Sequence, residues 1–148
     1  MFHPLLIAAI ILLGLGLLFA ILGRIYASIR GRLRKRINEK FSKREILGAT
    51  TRANFFGIKS KAGAQVRGNG ALVLTRNALF FIRAVPHKEF EIPLASIRKV
   101  SMPRFFNGKL ALLPLLCVHF DTEYGEDSMA WSVPEAKVWK NAIEKRIS

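Results

Sequence analysis

The side chains that could do chemistry are few and scattered: His3, His87 and His119, the lone Cys117, and the acidic residues Glu123, Glu126 and Asp127. An imidazole beside a thiol could activate a nucleophile, and three carboxylates in one turn could hold a cation. The spacing favours neither. His3 precedes a long apolar run, Cys117 has no second cysteine near it, and the carboxylates fall in what reads as a solvated hairpin turn. No Gly-x-Ser-x-Gly, phosphate-loop, dinucleotide or metal-ligand pattern occurs. The sequence therefore predicts no enzyme, no catalytic residue, no metal and no cofactor, with Cys117 an ordinary sheet residue.

Binding chemistry has better candidates. The segment Pro103 to Lys109 sets Phe105 and Phe106 between Arg104 and Lys109. Neighbouring aromatics that are exposed mark a contact surface. The pair is expected to enter a lipid leaflet or a partner while Arg104 and Lys109 meet phosphates or carboxylates; the equal alternative is that both rings fold inward as a core plug. The stretch Lys59 to Arg67, with Gly57 and Gly63 permitting a mobile hairpin, is mildly basic and reads as a solvated loop.

A third group is the run of cations Arg24, Arg30, Arg32, Arg34, Lys35, Arg36, Lys40, Lys43 and Arg44, opposed only by Glu39. It follows directly on Leu5 to Leu22, where every residue is apolar or Gly. Those 18 residues make roughly 27 Å of helix, close to the hydrocarbon thickness of a bilayer. Residues 1–23 are therefore expected to form a transmembrane helix. A cleaved signal peptide fits poorly, because no basic residue precedes the run and no Ala-x-Ala site follows it. Lys and Arg beside a span stay on the cytoplasmic side, which predicts a single-pass protein of the cell (inner) membrane, N-terminus out and domain in the cytoplasm. The single cysteine suits a reducing compartment.

Within residues 24–44, Ile25, Ile29, Leu33, Ile37 and Phe41 recur every fourth position, the mark of an amphipathic helix continuing from the span, with Gly31 a weak point. Its basic faces either enforce topology alone or also lie along an anionic leaflet, where each cation contributes on the order of 1 kcal/mol. The Gly14-x-Gly16 spacing does not support dimerisation through the span.

After Leu47 the period changes to short extended runs. The predicted strands are Asn54 to Ile58, Ala71 to Thr75, Leu79 to Ala84, Glu89 to Ile92, Ile97 to Met102, Leu115 to Asp121 and Ser128 to Val133, with weaker pairing around Gln65 to Arg67. Gly68 and Gly70 are expected to make one turn with positive φ, and Gly125 another. A helix opened by Pro134 follows, its apolar face Val138, Trp139, Ala142, Ile143 and Ile147. The fold class is mainly β with a C-terminal α-helix, preceded by one transmembrane helix.

Gly70-Ala-Leu-Val-Leu-Thr75, Ala78-Leu-Phe-Phe81, Ile92-Pro-Leu94-x-x-Ile97-x-x-Val100 and Trp139-x-x-x-Ile143 together resemble the GRAM-like and bacterial pleckstrin-homology-like domains over about residues 45–147. The resemblance implies a pleckstrin-homology-like curved sheet or partly open barrel over residues 45–148, capped by the last helix. Such domains bind lipids, peptides or proteins, and fold alone does not choose among them. Basic residues between the first two strands, the phosphoinositide-reading motif, are matched only loosely by Lys59, Lys61 and Arg67. The expected role is a membrane-anchored, non-catalytic binding module that engages membrane lipid headgroups or a membrane-protein partner. The alternatives are a structural subunit of a membrane complex and a membrane-bound nucleic-acid binder, although no specific nucleic acid is expected.

Overall fold

The computed structural model describes residues 3–61 and 65–148. One helix, α1 (Pro4–Lys40), runs unbroken for 37 residues. It carries the apolar run and the basic segment as one rod and passes Gly31 without interruption. Its apolar part is long and apolar enough to cross a membrane, and none of that stretch is buried against the other described residues.

The rest is a sheet of β1 (Ile46–Ile58), β2 (Gly68–Thr75), β3 (Ala78–Arg83), β4 (Lys88–Pro93), β5 (Ile97–Ser101), β8 (Leu116–Thr122) and β9 (Gly125–Ser132), with a small hairpin, β6 (Phe105–Phe106) and β7 (Lys109–Leu110), and a closing helix α2 (Ala136–Ile147). The seven strands are antiparallel in the order β4-β3-β2-β1-β9-β8-β5. The C-terminal half of β1 pairs on both sides, Phe55 facing Gly68 across one ladder and Trp131 across the other. One strand thus joins two half-sheets.

Alternation then builds the core. Phe55, Leu72, Leu74, Leu79, Phe81, Ile92, Val100, Leu116, Val118, Met129 and Trp131 all point to one side, where they meet Ala136 and Ile143 of α2 in a single cluster. For all seven strands to share one interior, the sheet must curl around it. Phe55, Phe81 and Trp131 hold the halves together, with ring centroids 5.2 Å and 5.8 Å apart.

The outer face of β2 and β3 is also apolar, and α1 covers it. Leu33, Ile37 and Phe41 pack on Ala71, Val73 and Ile82, with Ile29, Ile46 and Phe80 alongside. The four-residue stripe thus goes to the sheet, and only Ile25 at its start stays half-exposed. Apolar burial of this kind is a stronger driving force than interfacial charge. This face of the helix is therefore not available to lie along a leaflet.

The predicted strands recur with shifted ends, and several expectations change. The chain from Ile46 to Ala53, outside the predicted strand Asn54 to Ile58, belongs to β1. Gly68 and Gly70 lie within β2 and not in a positive-φ turn; Gly125 does adopt the expected positive φ of 115°. Gly70 is needed for space, since a Cβ there would stand 2.4 Å from the Ile82 carbonyl oxygen. Gln65 to Arg67 form no strand. Gly57, with φ of 125°, sits at a register shift between β1 and β9. Gly63, the second glycine of the expected mobile hairpin, lies outside the described residues. Helix α2 begins two residues after Pro134, because Glu135 takes a left-handed conformation.

Candidate functional site

The hairpin β6–β7 separates the two phenylalanines. Asn107 and Gly108 turn it, with φ of 48° and 73°, the left-handed pair a two-residue hairpin needs. Successive residues then face opposite ways. Phe106 is buried with Phe56, Leu115, Cys117 and Ala130 on the outer face of the second half-sheet, while Phe105 is 62% exposed. One ring is a plug and the other is presented.

The two flanking cations, expected to meet phosphates or carboxylates, are placed differently from each other. Arg104 is exposed. Lys109 is half-buried, and its ammonium donates to the carbonyls of Phe56 at 3.1 Å and Gln65 at 2.5 Å. It stitches the hairpin to the end of β1, as does the Asn107 amide, which donates to the Ile58 carbonyl at 2.8 Å. Arg67 donates to the Leu110 carbonyl at 3.2 Å while its guanidinium lies 4.0 Å from the centre of the Phe56 ring. The exposed surface of this region is instead apolar: Phe105, Leu110, Leu112 and Leu113, the last three 72%, 94% and 71% exposed. The predicted strand begins at Leu115 and the sequence assigns no role to Leu110, Leu112 and Leu113, which leaves this crest unforeseen.

Position along α1 relates the crest to the apolar run. Phe41 shares a cleft with Thr75, and Tyr26 shares another with Asn69. The fifteen steps from Tyr26 to Phe41 span ~22 Å at ~1.5 Å each. The six strand steps between Asn69 and Thr75 span ~20 Å at ~3.3 Å each. Helix and strand therefore run side by side in the same direction. Arg67, which holds Leu110, precedes Asn69 and so lies toward the apolar half of α1.

The cations that follow the apolar run surround this rod. Arg24, Arg30, Arg32, Arg34 and Lys35 are exposed, and Arg36 is half-buried. Lys35 pairs with Glu39 at 3.8 Å, and Lys40 with Glu89 of β4.

The outer face of the second half-sheet also gathers polar groups that are distant in sequence. The β5–β8 register sets Ser101 opposite Cys117, and alternation puts His119 on the same face. Ser101 Oγ lies 2.8 Å from His119 Nε2, and Cys117 Sγ lies 3.6 Å from it. His119 Nδ1 is 3.9 Å from the Glu126 carboxylate, too far to orient the ring by a hydrogen bond. Burial, then the nearby Lys99, push the His119 pKa down, so the ring is neutral at pH 7. Burial pushes the Cys117 thiol up to about 11. A neutral imidazole beside an un-ionised thiol lacks the charge separation of an activated nucleophile. Near the start of β9 Asp127 accepts from the Ser60 backbone N–H at 3.0 Å and from its hydroxyl.

No protein-family model and no curated protein matches the chain. Solved structures share its fold. One is a chain of the 8S snRNP assembly intermediate, 13% identical with a TM-score of 0.54, covering 72% of this chain and 84% of that one. Another is the C-terminal domain of an unknown protein from Leishmania infantum, also 13% identical with a TM-score of 0.54, covering 80% and 97%.

Proposed function

We propose that the chain is a single-pass protein of the cell (inner) membrane, N-terminus outside, whose non-catalytic pleckstrin-homology-like domain, of the GRAM kind, engages lipid headgroups or a membrane-protein partner at the cytoplasmic face. The observation that carries this reading is the continuity of α1, which passes from the apolar run onto the sheet without a break or a linker. A domain attached in this way cannot drift from the bilayer, and its concentration toward membrane-bound ligands is raised accordingly. The shared central strand, the two half-sheets and the helix across the core support the pleckstrin-homology-like assignment. The unactivated Cys117 and His119 pair supports a binding role over catalysis. The exposed crest of Phe105, Leu110, Leu112 and Leu113 supplies the contact surface. It also favours a second reading, a structural subunit whose partner covers that crest.

Membrane vesicles of known sidedness test the proposal. A maleimide on Asn77→Cys should react only from the cytoplasmic face, with the chain resisting alkaline extraction. Full-length protein in the soluble fraction, or a mature N-terminus beyond Gly23, contradicts it.

A further inference from the structure

Where α1 leaves the sheet there is a niche of about 390 Å³ between the helix and strands β1 and β2, with Gly23, Tyr26, Ile29 and Arg30 on one side and Thr51, Arg52 and Asn69 on the other, so that polar groups ring a partly apolar floor. A register shift in β1 creates it. Thr50 faces Leu72 and Ala53 faces Gly70, so three steps on β1 oppose two on β2. The extra residue is a bulge, which re-aims side chains out of the ladder. Thr51 and Arg52 are the residues displaced, and the Arg52 backbone N–H freed by the bulge donates to the Thr50 hydroxyl at 3.1 Å. The distortion is thus stabilised locally, and it presents a guanidinium to the helix.

Arg30 approaches the niche from α1. Among the described residues neither Arg30 nor Arg52 has a carboxylate partner, so two guanidiniums face one concavity with no anion to neutralise them. Two guanidiniums, a hydroxyl and an amide match the donors that bind a phosphate group.

The level of the niche selects the source of that phosphate. Gly23 on its rim follows directly on Leu22, the end of the apolar run. From Gly23 to Arg30 the helix rises ~10 Å, enough to cross the headgroup layer, roughly 5–8 Å deep in each leaflet. Tyr26 sits within it, as aromatic residues do at that depth. We infer that this niche binds the phosphate of one anionic phospholipid of the cytoplasmic leaflet. The inference rests on α1 being a membrane anchor and adds a defined headgroup site to that reading. The site lies between α1 and the β1 bulge, away from the Lys59 to Arg67 loop.

The full-length protein, extracted in mild detergent from membranes containing phosphatidylglycerol, tests the site by native mass spectrometry. The wild type should retain one phosphatidylglycerol per chain, and R30Q/R52Q should lower its occupancy at least tenfold. The control R44Q/R76Q removes the same charge beside Phe41, at the other end of the sheet, and should leave occupancy unchanged. Thr51→Leu, which fills the niche and keeps both charges, should also reduce it. Millimolar inorganic phosphate should not displace the lipid.

Full retention in both R30Q/R52Q and Thr51→Leu overturns the site, as does equal loss in the control. Displacement by free phosphate overturns the lipid source. If any of these occurs while the chain still requires detergent, the anchored-module reading survives without the site; wild-type protein that is soluble without detergent removes both.

Discussion

The rings of Phe41 and Phe80 meet edge to face with centroids 4.8 Å apart, so the residue that caps the C-terminus of α1 is seated on the outer face of the sheet. Beside them Lys40 pairs with Glu89 of the edge strand β4. Together with Leu33 and Ile37 these contacts make one body of the helix and the sheet.

Because Leu33 is 1% exposed, Leu33→Ala should destabilise the domain by about 2–5 kcal/mol, as expected for a leucine removed from a packed interior. The thermal midpoint in detergent should fall, and amides of β2 and β3 should exchange faster. Ile10→Ala, on the apolar part of α1 where the side chain is 62% exposed, should leave the midpoint in place.

The Lys40–Glu89 pair gives the docking a pH dependence. The hydrogen bond from Lys40, aided by the charges of Lys40 and His87, holds the Glu89 carboxyl below its ordinary value. The folded state therefore binds this proton less readily than the unfolded state. The contribution is complete above the ordinary value of 4.5 and is lost as the pH falls through the lower folded value. Both side chains are 36% exposed, so solvent limits the effect to about 1 kcal/mol or less. Unfolding followed between pH 6 and 3 should show Glu89→Gln losing stability less steeply than the wild type.

The two phenylalanines of the hairpin should respond oppositely. Phe106→Ser removes a buried ring and should cost about 3–5 kcal/mol, read as a lowered melting point. Phe105→Ser should leave stability within about 0.5 kcal/mol and reduce binding of the domain to anionic vesicles.

Gly70→Ala should destabilise by about 1–3 kcal/mol, since the atom its Cβ meets is the backbone oxygen of Ile82 and cannot swing aside. A lowered chemical-denaturation midpoint checks this.

Much of this architecture is legible in the residues. The alternation of Leu72 with Leu74, of Leu116 with Val118 and Phe120, and the apolar run before Arg24 follow from period and length. What the sequence hides is pairing. The β1 bulge at Thr51 and Arg52 exists only relative to β2, so no local pattern announces the niche it forms with Arg30. Ser101 and His119 likewise meet only through the β5–β8 register. Ile25, Ile29, Leu33, Ile37 and Phe41 reveal an amphipathic face but not its partner, because lipid and an apolar sheet would select the same stripe. Phe105 and Phe106 are alike in sequence, and the hairpin pleat alone decides which is buried.

The orientation of the domain on the bilayer is the central claim, and depth-resolved spin labelling tests it most directly. Labels placed by Leu110→Cys and Asn77→Cys, each in a Cys117→Ala background and in liposomes, are compared for collisional access to oxygen dissolved in lipid and to a water-soluble nickel complex. Leu110 should report the headgroup or outer hydrocarbon region, and Asn77, beside Phe41 at the far end of β2, should report bulk water. Equal, fully aqueous access at both positions would contradict the account.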